Sequence, residues 1–117
     1  HLPDSAIMKW ASANGDFTCP PDIIKAVKDA DAVCTDVWAS MGQEDEAEER
    51  KKVFSGYQIN PDILSHAKTD ALVMHCLPAH RGEEITADVF EAHANEIFDE
   101  AENRLHAQKA IMAICMG

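Results

Sequence analysis

Two kinds of apolar pattern alternate along the chain: residues spaced three and four apart, and short unbroken runs. Ile7, Met8, Trp10 and Ala11 share one side of a helix over residues 4–14, with Asp4 or Ser5 as N-cap and Gly15 as the stop. Pro20-Pro21-Asp22 opens a second helix whose inner side is Ile23, Ile24, Ala26, Val27 and Ala30. Asn60-Pro61-Asp62 opens another through Ala67, Thr86 to His93 makes a short one, and Ala101 to Met116 closes the chain. The unbroken runs lie between them. Ala32-Val33-Cys34-Thr35-Asp36-Val37 and Ala71-Leu72-Val73-Met74-His75-Cys76-Leu77 are mostly apolar without alternation, which suits parallel strands covered on both faces. Pro78 has no N–H for a ladder and ends the second run. Phe17-Thr18-Cys19 and Glu96-Ile97-Phe98 are the remaining strand candidates.

Helix, strand, helix, strand is the order of an α/β fold, here a partial doubly wound (Rossmann-like) parallel sheet with helices on both faces. Ligands of such sheets bind beyond the carboxyl ends of the strands. Two predicted strands run into conspicuous loops there, Asp36 to Gly42 and Cys76 to Gly82. Between them, Glu44, Asp45, Glu46, Glu48 and Glu49 precede Arg50, Lys51 and Lys52. Acid first and base last complements a helix dipole, and the stretch reads as a solvated helix face.

Charge narrows the partners. A net charge of -11 with only ten Lys and Arg argues against nucleic acid and anionic membranes, which require clustered bases. No stretch is long and apolar enough to span a bilayer, and no secretory leader opens the chain. The expectation is a cytoplasmic location, or a mitochondrial matrix if a eukaryotic transit peptide has been lost. The opening His1-Leu2-Pro3, without an initiator Met, looks like a piece cut from something longer. Cys19, Cys34, Cys76 and Cys115 form no C-x-x-C pair and read as small buried hydrophobes in a reduced compartment, with no disulfide scaffold and no structural zinc. No Gly-x-Gly-x-x-Gly follows a strand, which disfavours a general dinucleotide-binding domain.

The two loops hold the candidate chemistry. Asp36, at a strand end, needs a partner, and either a substrate ammonium or its own turn would serve. Ser40-Met41-Gly42 could offer a hydroxyl and amides to a carboxylate. Cys76 reads as a nucleophile, a hydrogen-bonding partner or packing. His75 should point to the opposite face, while His80 could approach across the Pro78 turn. A metal on His75, Cys76 and His80 lacks a fourth ligand at the usual spacing. Arg81 and Arg104 suit phosphate or carboxylate, or a surface ion pair equally well.

Four segments occur together in order: Asp36-Val-Trp-Ala-Ser40-Met41-Gly42-Gln43-Glu44, Phe54-Ser-Gly56-Tyr57-Gln58-Ile59, His75-Cys76-Leu77-Pro78-Ala79-His80-Arg81-Gly82, and Glu100-Ala101-Glu102-Asn103-Arg104. Over essentially its whole length the chain resembles the carboxy-terminal, ornithine-binding part of the aspartate/ornithine carbamoyltransferase family. The resemblance implies transfer of a carbamoyl group from carbamoyl phosphate to L-ornithine, giving L-citrulline and phosphate, without metal or organic cofactor. It implies that Asp36 binds the ornithine α-amino group, that Ser40 and Met41 close over the amino acid, and that Cys76 and Leu77 lie between the two substrates. Arg104 would reach the carbamoyl phosphate, with His75 and Pro78 in support, and a thiolate or carbonyl oxygen would take or orient the amine proton. It implies a homotrimer in arginine metabolism whose sites borrow groups from a neighbour. The family's Ser-Thr-Arg-Thr and His-Pro-x-Gln motifs do not occur here. The carbamoyl-phosphate domain is therefore expected to lie outside these 117 residues, which alone should be inactive. Rival expectations are a carbamoyltransferase for another amine such as putrescine, and a non-catalytic remnant serving as an interaction module.

Overall fold

Local capping sets several of the elements. Asp4 accepts the N–H groups of Ala6 and Ile7 at 2.8 and 3.3 Å and opens α1 (Ser5–Asn14). These are donors that a first helical turn cannot satisfy internally. Asp22 opens α2 (Ile23–Val27) by accepting from Ile24 at 3.0 Å. That helix stops short of the predicted Ala30 because Asp29 turns to a φ of 56°, although Ala30 still packs against the core. β1 (Ala32–Thr35) follows, then a 3-10 turn over Glu44–Glu46 and α3 (Ala47–Phe54). As the charge order predicts, Glu48 and Glu49 stand in the first turn of α3 and Lys51 and Lys52 in its last. Asn60 caps α4 (Pro61–Leu64), β2 (Leu72–His75) follows, and α5 (Ala87–Ala92) and α6 (Ala94–Met116) complete the chain. The computed structural model describes residues 2–39, 42 and 44–117.

β1 and β2 pair in parallel, with Val33 opposite Val73 and Thr35 opposite His75. Val33, Val73 and His75 are buried, and onto them close Val27 of α2, Ile63 of α4, Val89 and Phe90 of α5 and Ile97 of α6. Fully burying an aliphatic or aromatic side chain of this size contributes about 1.5–3 kcal/mol. The result is mixed α/β, a small parallel sheet flanked by helices.

Two predicted strands are not strands. Phe17-Thr18-Cys19 runs without regular pairing, because a short segment becomes a strand only beside a hydrogen-bonding neighbour and none lies there among the described residues. Glu96-Ile97-Phe98 lies inside α6. From Ala94 to Met116 there is neither Gly nor Pro, and good helix formers fill the stretch, so nothing stops the helix before Ile97 buries itself completely. Glu96 instead meets the sheet through its side chain, whose Oε2 accepts the N–H of Val73 at 3.1 Å. That bond is the main reason its carboxyl sits below the usual range.

The expectation of buried cysteines also fails. All four thiols are free and exposed. Cys34 points away from the face that buries Val33, Cys76 lies past the end of β2, and Cys115 is on the exposed end of α6. Apolar neighbours in sequence do not bury a residue that faces outward.

Candidate functional site

Both loops at the carboxyl ends of the strands are held from outside. After β1, Arg50 of α3 donates to the carbonyl of Trp38 at 3.4 Å while paired with Glu46 at 3.0 Å. Trp38 stacks on Phe54 at 6.5 Å, Phe54 meets Tyr57 edge-on, and the Tyr57 hydroxyl donates to the Pro21 carbonyl at 2.9 Å. After β2, Gln58 donates to the carbonyls of Gly82 and Glu83 at 2.9 and 2.7 Å. Ile59 donates to Glu84 at 2.8 Å and accepts from Thr86 at 3.0 Å. Gly82 has a φ of 92°, which a side chain would strain.

Between these anchors lies His75-Cys76-Leu77-Pro78. The Leu77–Pro78 peptide is cis, and Leu77 has a φ of 54°, a left-handed conformation that costs a residue with a Cβ. Its N–H donates to Nδ1 of His75 at 3.0 Å. His75 is fully buried, and its other ring nitrogen lies 2.9 Å from Oε1 of the equally buried Glu84. Because Nδ1 accepts, Nε2 carries the proton and donates to Glu84. The same oxygen accepts the His80 N–H at 2.6 Å.

Alternation predicts His75 and Cys76 pointing apart, but β2 ends at His75 and Cys76 is already outside the pleat. Donor atoms of Asp36, His75 and Cys76 lie within 4.8 Å of one another. The Asp36 carboxylate lies within 4.8 Å of the Cys76 sulfur and acts on its titration. Partial burial of the sulfur, then the neighbouring Asp36 carboxylate, then the charge of Glu100, push the thiol above its ordinary pKa. Cys76 is therefore a protonated thiol at neutral pH, and the thiolate expected to take the amine proton is not the resting form. Asp36 also accepts the Val37 N–H at 2.7 Å, so its own turn and the thiol share it.

Metal chemistry does not suit these groups. Both nitrogens of His75 are engaged and the thiol is held protonated, whereas a metal takes a free imidazole nitrogen and a thiolate. His80, Glu83 and Glu84 form a second trio within 4.8 Å, but Lys51 already neutralises Glu83 at 3.0 Å. These acids are also the partners of His80, which the sequence allowed to approach Cys76.

Cys76 also borders a cleft of about 320 Å³ with Glu100, Ala101, Asn103, Arg104 and Ala107. Asp36 lines a separate, largely apolar cleft with Trp38, Phe54 and Tyr57. The fold thus brings Asp36 to Cys76 and Cys76 to Arg104, with the thiol between two clefts. Arg81 goes elsewhere, pairing with Glu91 at 2.7 Å and lying 4.2 Å over the Phe90 ring. Ser40 and Met41 lie outside the described residues. Sequence reasoning missed Glu84 and Glu100. The only signal for Glu84 was an acid wedged between a Gly turn and the apolar Ile85.

The Asp36–Cys76 contact has a direct check. Asp36→Asn removes the charge while leaving the partial burial, so the thiol should move back toward its ordinary value. With the other cysteines replaced, Cys76 should then react with iodoacetamide at pH 8 about 3- to 10-fold faster, since thiolate fraction follows the pKa. An unchanged or slower rate would show that Asp36 does not hold the thiol.

Residues 2–115 match the model of the aspartate/ornithine carbamoyltransferase Asp/Orn binding domain. The chain belongs to the aspartate/ornithine carbamoyltransferase family. An ornithine carbamoyltransferase of Pyrococcus horikoshii is 57% identical over 120 residues, covering 98% of this chain and 38% of the relative. The solved ornithine carbamoyltransferase of Pyrococcus furiosus superposes with a TM-score of 0.80 at 55% identity, over 95% of this chain and 37% of that one. A variant N-acetyl-L-ornithine transcarbamylase, complexed with carbamyl phosphate and N-succinyl-L-norvaline, gives a TM-score of 0.74 at 30% identity over 97% of this chain and 36% of its own. The chain thus spans little more than a third of the carbamoyltransferases it matches.

Proposed function

We propose that the chain is the carboxy-terminal portion of the ornithine-binding domain of an enzyme that carbamoylates the side-chain amine of L-ornithine. The observation that carries this reading is the Cys76 thiol, within 4.8 Å of the Asp36 carboxylate on one side and bordering the Arg104 cleft on the other. Asp36 would hold the ornithine α-ammonium, exchanging its contact with the thiol for one with the substrate. Cys76 and the Leu77 carbonyl would orient the side-chain amine, with Pro78 shaping the turn. Ser40 and Met41 would cover the amino acid, as the family resemblance implies. Arg104 would face the phosphate.

The amine must first lose its ammonium proton, because an alkyl ammonium of pKa about 10.4 has no lone pair to attack with. Nitrogen then bonds to the carbamoyl carbon, and the bond from that carbon to the phosphate oxygen breaks. A protonated Cys76 cannot act as the base, so its part is orientation. The ammonium proton goes to solvent before the attack, and the second proton, from the nitrogen now bonded to carbon, leaves with the departing phosphate. The charge developing on the tetrahedral centre and the phosphate is what a guanidinium stabilises. The groups that grip the rest of the phosphate would come from a domain outside this chain, in a cytoplasmic homotrimer of arginine metabolism.

The test joins this chain to a carbamoyl-phosphate domain of the family and measures citrulline from ornithine and carbamoyl phosphate. Turnover is expected there, and only background from the 117-residue chain alone. Faster carbamoylation of putrescine than of ornithine would sink the assignment of Asp36 to an α-ammonium.

A further inference from the structure

Glu84 has no part in the reaction as described, yet it is a completely buried carboxylate beside the core residue Ile85, while His80, Arg81 and Gly82 of the same loop are exposed. Its Oε1 accepts from both Nε2 of His75 and the N–H of His80, whereas its Oε2 is buried without a partner. Enclosing a carboxyl group with one oxygen unsatisfied is unfavourable, and stability alone gives no reason for it. What the arrangement achieves is orientation. Glu84 fixes the His75 ring from one side, which leaves Nδ1 as the acceptor for Leu77 N–H on the other. That bond sits on a residue in the left-handed region, next to Cys76. By also holding the His80 N–H, Glu84 ties both ends of the turn that carries Cys76, Leu77 and Pro78.

We infer that Glu84 is a positioning residue: acting through His75, it sets the Cys76-Leu77 geometry that orients the attacking amine. The kinetic part rests on the proposed carbamoyl transfer; the structural part does not. Buried groups behind a reacting shell act in this way by fixing the tautomer and direction of the histidine they touch. A displacement of about 1 Å at reacting groups costs on the order of 10²-fold in rate. A merely structural carboxylate would instead lower stability and leave the rate per folded molecule alone.

The test uses the chain with Cys19, Cys34 and Cys115 replaced by serine, so that Cys76 is the single thiol. Glu84→Gln keeps an acceptor oxygen for His75 and His80; Glu84→Leu keeps the bulk and removes it. Nitrogen NMR of the His75 ring should place the proton on Nε2 in the parent and Glu84→Gln, with that preference lost in Glu84→Leu. Iodoacetamide should react with Cys76 in Glu84→Leu at least about fivefold faster as the turn loosens from Asp36, and in Glu84→Gln within about twofold of the parent. In the joined carbamoyltransferase, Glu84→Leu should lower kcat about 30- to 100-fold with KM for ornithine nearly unchanged. Glu84→Gln should restore most of that rate.

Parental tautomer and thiol rate in a folded Glu84→Leu would overturn the inference, as would Glu84→Gln behaving like Glu84→Leu. Should Glu84→Leu not fold, Glu84→Gln decides alone: a parental thiol rate and tautomer support the inference and an altered one defeats it. If no joined enzyme makes citrulline, carbamoyl transfer to ornithine fails, while the ring and thiol measurements still judge the positioning.

Discussion

Phe90→Ala is expected to destabilise the chain by about 3–5 kcal/mol, the largest loss from any single truncation in this core. The ring is 3% exposed and lies in the cluster that joins α5 to the sheet. It meets Phe98 of α6 edge-on at 6.1 Å, and the Arg81 guanidinium covers it at 4.2 Å. Removing it therefore opens a cavity between α5 and α6 and takes away the surface on which Arg81 rests. Small domains have only about 5–15 kcal/mol to lose, so the urea midpoint should fall steeply at unchanged slope. Arg81→Ala gives the contrast. Its pair with Glu91 is half-exposed and its cation–π contact lies at the surface, worth together about 1 kcal/mol. If Arg81→Ala cost more than Phe90→Ala, packing would not be what holds α5 in place.

The helix starts were legible because capping is local. Asp4, Asp22 and Asn60 each bond an N–H two or three residues ahead, and a residue type with a spacing announces that. The paired strands were legible because unbroken apolar runs suit parallel strands. The expected cover on both faces is not there: Val33, Val73 and His75 are buried while Ala32, Cys34 and Leu72 face outward. Glu96-Ile97-Phe98 misled because a short apolar run fits either state, and the choice was made by the uninterrupted helix formers after it. Phe17-Thr18-Cys19 misled because strand formation depends on a neighbour that periodicity cannot name. In the site, the rule that ligands gather at strand ends was enough to put Asp36 and Cys76 together, and the thiol's contact with Asp36 agrees. Only the folded arrangement reveals the partial burial, and after it the Asp36 carboxylate, that push the thiol above its ordinary pKa. Glu84 was illegible for a similar reason. Its bond to His75 spans nine residues and a turn, and depends on loop positions fixed by Gln58 and Ile59 from a third segment. Side-chain pairs closed through several loops leave no periodic trace.

Arg104→Ala, in an enzyme carrying this chain, is expected to lower the proposed carbamoyl transfer by about 10²- to 10³-fold, or 2.7–4 kcal/mol of barrier. Arg104 is exposed on α6, shares its cleft with Cys76, and among the described residues forms no ion pair that would give it a structural duty. Truncation at an exposed helix position should change stability by no more than about 0.5 kcal/mol. Loss of rate without loss of fold is therefore the signature. Arg104→Lys separates charge from shape. A lysine keeps the positive charge but not the planar fork that bonds two oxygens of one phosphate, so it should recover only part of the rate. The effect should fall on kcat, because charge on the phosphate and the tetrahedral centre grows toward the transition state. A change confined to KM for carbamoyl phosphate would make Arg104 a docking group only. An unchanged rate would remove it from the site and leave Cys76 facing an empty cleft, and the proposed function would then lose the link between its two substrates.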